Sequence, residues 1–186
     1  MWVLLMNRIK EKSVKASFGG IVTALAIIIM ALGGVFSSLT YAAPAVCGVF
    51  LMVAVVEFGA KFAAVVYFAI SFLSLAVVPN KECAVMFALF FGIYPIIKGK
   101  IEGKTKGVIS WIIKYLFFNV AIIIAYLICS KLLEIPYEEI GVLGKYSLLF
   151  LWGSGNVTFF IYDIALTRLI SAYIFKWQKF VKRLFR

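Results

Sequence analysis

Apolar positions in this chain come as unbroken runs instead of stripes. The first charge-free stretch reaches from Ala16 to Val56, and further runs follow, each cut off by a short cluster of charge, proline or glycine. A stripe recurring every three or four residues marks a helix half in water, whereas a run apolar on every side marks one surrounded by lipid or protein. A bilayer core of about 30 Å takes about 20 helical residues to cross. On that ruler six spans are predicted, over residues 18–38, 41–57, 62–78, 83–97, 108–130 and 146–167. Ser37, Ser38 and Thr40 supply the first turn, Pro44 suits the start of the second helix, and Pro79-Asn80-Lys81-Glu82 closes the third. The fourth stretch is the shortest, with Pro95 in its last turn. Either Lys98 extends its stem toward the headgroups, or this helix lies where protein lines it or the bilayer is thin. Residues 131–145 form a polar connection, and the sixth helix is expected to continue into a basic amphipathic tail over 174–186.

A closed barrel is the other way to span a bilayer, but no segment alternates with period two. The expected fold is therefore all-α: one polytopic transmembrane bundle over residues 1–186, opened by a basic arm at 1–15. That arm, with Arg8, Lys10, Lys12 and Lys15, resembles the start of a secretory signal. The apolar stretch behind it far exceeds the roughly 7–15 residues of a signal core, so an uncleaved first span is expected.

Composition rules out an ordinary soluble enzyme, since 65% of residues are hydrophobic and only 15% charged, against about a quarter charged in a typical soluble domain. The formal charge of +11 would suggest nucleic acid as a partner in a soluble protein. Here the basic residues lie between apolar runs, which points to membrane orientation and anionic lipid headgroups instead. Fourteen Lys and Arg fall in the N-terminal arm, the Glu57–Lys61 turn, the loop around residues 98–106 and the tail; Lys81, Lys131 and Lys145 occupy the opposite connections. Glu82, Glu134, Glu138 and Glu139 lie on that opposite side too. Lys and Arg collect on the cytoplasmic side, so a multi-pass protein of the cell (inner or plasma) membrane with both termini in the cytoplasm is expected.

The chain has no histidine, which removes histidine triads, histidine metal sites and histidine proton relays. An intramembrane aspartyl dyad needs two acids in the bilayer, and Asp163 stands alone within the predicted spans, Glu57 marking only the end of the second. Enzymatic function, metal and cofactor are not expected. The stretch Gly99-Lys100-Ile101-Glu102-Gly103-Lys104-Thr105 imitates a phosphate-binding loop but is one residue short and joins two spans instead of following a strand. Cys47, Cys83 and Cys129 are odd in number, lack CxxC spacing and read as small hydrophobes.

Ionisable residues inside spans are functional candidates or structural pairs. Lys114 and Asp163 share a depth in the fifth and sixth spans, so an ion pair between them is predicted, with Arg168 as competing partner. Asn119 and Asn156 fall near the midplane, where an interhelical hydrogen bond is the expected role. Trp152-Gly153-Ser154-Gly155-Asn156 also allows close approach of a ligand or helix. Gly20, Ala24 and Ala31 on the first span, echoed by Ala60 and Ala64 on the third, suit close helix packing, within the bundle or against a partner subunit.

A chain of about this length with six spans, both ends inside, a small-residue first helix, a basic tail and no catalytic set resembles the S component of energy-coupling-factor vitamin transporters. The resemblance is architectural and covers the whole chain, with Gly20-x-x-x-Ala24 standing where that family has Ala-x-x-x-Ala. It implies capture of a vitamin-like small molecule on the outer side, and association with a transmembrane coupling subunit and two ATPases. It also implies a pocket in the outer halves of spans four to six, at Asn80, Lys81, Tyr137, Glu138, Trp152 and Asn156. The other architecture it resembles is the MreD-type rod-shape protein, a non-enzymatic scaffold of cell-envelope machinery. An importer predicts an aromatic-lined cavity near the outer face, and a scaffold predicts a packed interior.

Overall fold

In the computed structural model, which describes residues 2–36, 39–132 and 147–178, the chain is all-helical among the described residues. Six apolar helices follow one another: α1 (Trp2–Val35), α2 (Ala42–Phe58), α3 (Ala60–Val77), α4 (Lys81–Lys104), α5 (Val108–Leu127, extended through Ile128–Leu132) and α6 (Ser147–Ala172, extended through Tyr173–Trp177). All but α2 are long and apolar enough to cross a membrane. Their outer surfaces fit that solvent: Val65, Phe68 and Phe72 on α3, Ile109, Ile112 and Leu116 on α5, and Val157 and Ile161 on α6 all face outward. The chain is a multi-pass membrane protein.

Two boundaries depart from the sequence expectation. The basic arm is no separate segment, because α1 is continuous from Trp2. The fourth span, expected as the short one, instead runs from Lys81 to Lys104 and is more enclosed by its neighbours than α1, α3, α5 or α6. Lys98 and Glu102, which the uncharged window treats as the end of the span, belong to its helix.

Pro95 divides α4. Its ring nitrogen carries no proton and its ring crowds the carbonyl of Phe91, so the regular hydrogen-bond ladder cannot pass. The preceding turns, Phe87–Phe91, widen, with the Gly92 amide donating to the Phe87 carbonyl at 2.8 Å. A fresh helical segment then starts at Tyr94, where the Ile96 and Ile97 amides both reach the Ile93 carbonyl. Pro95 thus opens a segment instead of sitting in the last turn of one. Gly48 of α2 lies against this break, and a side chain there would stand 2.6 Å from the Phe91 carbonyl oxygen.

Contacts at the helix ends sort the connections into two groups. At one end the Asn80 amide donates to Thr40 Oγ1 at 3.2 Å, and the α1 terminus closes down because Gly33 and Gly34 present no side chain to Ala43 and Asn80. At the other, Phe18, Phe58 and Phe62 interlock with ring centroids 5.0–6.4 Å apart, and the Tyr173 hydroxyl donates to Glu57 at 3.1 Å. This second end carries Lys12, Lys15, Lys61, Lys100, Lys104 and Lys106 and is the basic end of the bundle. Between the ends the bundle is filled by rings: Phe90 touches Tyr94, Phe117, Phe118, Phe159 and Tyr162, and Phe118 stacks on Phe159 at 4.7 Å.

Candidate functional site: a buried ionic cluster below a polar groove

The second half of α4 repeats at intervals of four, Tyr94, Lys98, Glu102, which places the three side chains on one helix face. That face meets α5 at Lys114 and α6 at Asp163. Lys98 Nζ lies 2.5 Å from Asp163 Oδ1 and 2.7 Å from Glu102 Oε1. Lys114 Nζ lies 3.1 Å from Asp163 Oδ2 and 2.5 Å from Glu102 Oε1, and stands over the Trp111 ring at 5.0 Å. The Tyr94 hydroxyl donates to Asp163 Oδ1. Lys98, Lys114 and Asp163 are 1%, 3% and 2% exposed, so two ammonium groups and one carboxylate sit almost wholly out of solvent, with Glu102 supplying the second carboxylate from the exposed edge. Burial of this kind holds only if every charge has its partner, because a charge stripped of water and left unpaired costs several kcal/mol.

The predicted Lys114–Asp163 pair is therefore one of three interhelical ion pairs in a four-group cluster. Lys98 does not extend to the headgroups; it is the most buried member, held where protein lines it. Arg168 is not among the described ion-pair partners of Asp163. Five residues along a helix turn the side chain about 140° away from the start, and Arg168 is exposed. The cluster was legible in part: Lys98 and Glu102 stand at the i,i+4 spacing of a helical ion pair, and extending the helix through them would have recovered it.

Above the cluster, toward the basic end, lies an open groove of about 480 Å³ between the start of α5 and the end of α6. Thr105, Lys106, Gly107, Ser110, Trp111, Thr167 and Arg168 line it, and Glu102, Lys114 and Asp163 reach it from below. The cluster can lock α4, α5 and α6 together, and Glu102, at 40% side-chain exposure, is its member open to the groove.

The residues expected to hold a substrate are engaged elsewhere. Asn80 caps α4, its Oδ1 accepting from the Cys83 amide at 3.1 Å, and Lys81 Nζ caps α3 by donating to the Leu75 and Val78 carbonyls at 2.8 and 3.1 Å. Trp152 Nε1 donates to Asn119 Oδ1 at 2.7 Å, and Asn119 Nδ2 donates to Asn156 Oδ1 at 3.1 Å. These two sets lie on different helix termini and faces, and the structure does not bring them together. Tyr137 and Glu138 lie outside the described residues.

The small residues of α1 divide between two roles. Gly19 packs inward, where an added Cβ would stand 3.3 Å from Phe62 and Val66, whereas one at Gly20 would meet nothing within 4 Å. Gly20 and Ala24, together with Gly19, line an apolar groove of about 650 Å³ along α1 and α3, with Ile27, Ile28, Phe62, Val65 and Leu73. Ala31, half-buried, is not among the lining residues of that groove. Comparison with protein-family models, with curated proteins and with solved structures finds no match to this chain.

Proposed function

We propose that this chain is a non-enzymatic membrane subunit that seats a helix of a partner membrane protein in the groove between α1 and α3. The carrying observation is the floor of that groove. Gly20 and Ala24 are one turn apart, exposed, and open into a trough that runs along the span between Lys15 and Val77. Within a bilayer, burying apolar surface gives little drive, so association rests on close backbone approach, which small residues one turn apart permit. The occupant such a floor suits is a transmembrane helix with a small-residue face of its own.

Of the two assemblies the sequence resembles, the envelope scaffold has the better support. The middle of the bundle is occupied by the Phe90, Tyr94, Phe118 and Phe159 rings, and Asn80, Lys81, Trp152 and Asn156 spend their polar groups on caps and interhelical bonds. The importer reading asks for those same residues to face a substrate.

Cysteines at Gly20 and Ala24, with Leu116→Cys on the outward face of α5 as control, test the docking by crosslinking in native membranes. Adducts to one membrane protein from positions 20 and 24 but not 116, abolished by Gly20→Leu without loss of the folded chain, are expected. Cell-wall synthesis proteins in the adduct identify the scaffold. A coupling subunit with ATPases and a retained small molecule identifies the importer. Equal, non-selective labelling from all three positions rejects the docking itself.

A further inference from the structure

The groove beside α5 has the makings of a binding site that neither assembly reading uses. Gly107 precedes α5 with φ 62°, and no side chain caps the helix; its first turn also lacks an acidic residue. The first amides of a helix this long carry partial positive charge and need acceptors. Within that turn Ser110 is only 6% exposed, lines the groove, and its hydroxyl has no hydrogen-bond partner among the described residues. The residue is buried but its hydroxyl opens into the polar groove, where it can donate to a ligand.

The charges around it are unbalanced in one direction. Lys98 and Lys114 are consumed by Asp163 and Glu102, which cancels the cluster. Lys106 and Arg168 remain on the groove walls, both exposed and both without an ion-pair partner among the described residues. Thr105 and Thr167 donate their hydroxyls to the Ile101 and Asp163 carbonyls at 2.9 and 2.8 Å, which holds both side chains in fixed orientations on the walls. Uncapped amides, a free hydroxyl and two free cations, one a planar guanidinium, are the donor set that holds a tetrahedral oxyanion.

We propose that this groove binds an anionic phosphate group, with Arg168 and Lys106 pairing its charge and Ser110 and the first α5 amides donating to its oxygens. The group can be the headgroup of an anionic phospholipid or free phosphate, and the basic end of the bundle is where headgroups would lie.

The test uses the full chain in nanodiscs of phosphatidylcholine with a minority of phosphatidylglycerol, followed by native mass spectrometry of retained lipid. The wild type is expected to keep phosphatidylglycerol over phosphatidylcholine. Lys106→Gln and Arg168→Gln should each lower that preference about fivefold, the worth of one basic residue near a membrane surface. Ser110→Ala should lower it as well, and Lys100→Gln, an exposed cation outside the groove, should not. In phosphatidylcholine alone, millimolar inorganic phosphate should protect Trp111 from acrylamide quenching, read as the difference from Trp111→Phe. Protection lost in Arg168→Gln, without lipid preference, assigns the site to free phosphate. Equal loss in Lys100→Gln and Arg168→Gln, or no effect of any variant with phosphate inert, overturns the proposal. Lys106 and Arg168 are exposed, so their variants report binding even where Ser110→Ala does not fold.

Discussion

Asp163 holds two ammonium groups with one carboxylate, and that stoichiometry decides what its removal does. In Asp163→Asn, Lys98 and Lys114 both face Glu102 alone and one buried positive charge goes unpaired, a loss of about 3–5 kcal/mol. Adding Lys98→Met restores neutrality, because Lys114 and Glu102 still pair at 2.5 Å. Thermal unfolding in detergent should show the single variant strongly destabilised and the double variant recovering most of the loss. An Asp163→Asn protein as stable as wild type would remove the cluster as a clamp. The glycines make a second contrast. Gly48→Ala forces a methyl to within 2.6 Å of the Phe91 carbonyl and 2.7 Å of the Tyr162 hydroxyl, an overpacking cost of about 1–3 kcal/mol. Gly20→Ala meets nothing within 4 Å and should be neutral or stabilising by up to about 1 kcal/mol, since alanine favours the helix. Both differences are read from the same melting curves. Sequence marked Gly20 for close helix packing and did not single out Gly48; the neighbouring helix shows that Gly48 is the one a side chain would crowd.

Among elements, α5 was legible to within two residues. Its apolar run starts after Gly107, where the helix starts, and ends at Ser130, two residues before the described helix does, because lipid on the outward face and rings on the inward face ask for the same residue types. For α4 the same logic failed. A window that stops at the first charge treats Lys98 as the interface, while a charge that finds partners on two other helices is compatible with the interior. Hydropathy measures distance from water and cannot distinguish a lipid neighbour from a protein one. Asn119 and Asn156 show the opposite case, polar residues whose depth alone revealed their pairing. Their bonds tie α5 to α6 at 3.1 and 3.4 Å, and Trp152 adds a third at 2.7 Å. A double-mutant cycle with Asn119→Leu and Asn156→Leu should give a coupling of about 0.6–1 kcal/mol, the usual worth of an interhelical hydrogen bond in lipid. A coupling indistinguishable from zero would mean that the pair forms without contributing to the bundle.

For the whole molecule, fold and charge point to a single orientation. The connections of the basic end, near residues 58–60 and 105–107, lie together with the start of α1 and the end of α6, and the 36–41 and 78–81 connections lie opposite. Lys and Arg within short loops set topology because they resist translocation, whereas acidic residues count for little. Lys100, Lys104 and Lys106 therefore predict that the basic end stays in the cytoplasm. Reporter fusions settle this directly: a fluorescent protein joined after Lys106 should fluoresce and alkaline phosphatase joined there should be inactive, with the reverse after Asn80. The inverse pattern would refute more than the orientation. A groove carrying Lys106 and Arg168 gains its affinity for an anionic headgroup partly from the leaflet that surrounds it, since the cytoplasmic leaflet is the one rich in negative lipid. Were the basic end outside, the same donors would face a leaflet poorer in anionic lipid, and free phosphate would become the occupant to expect.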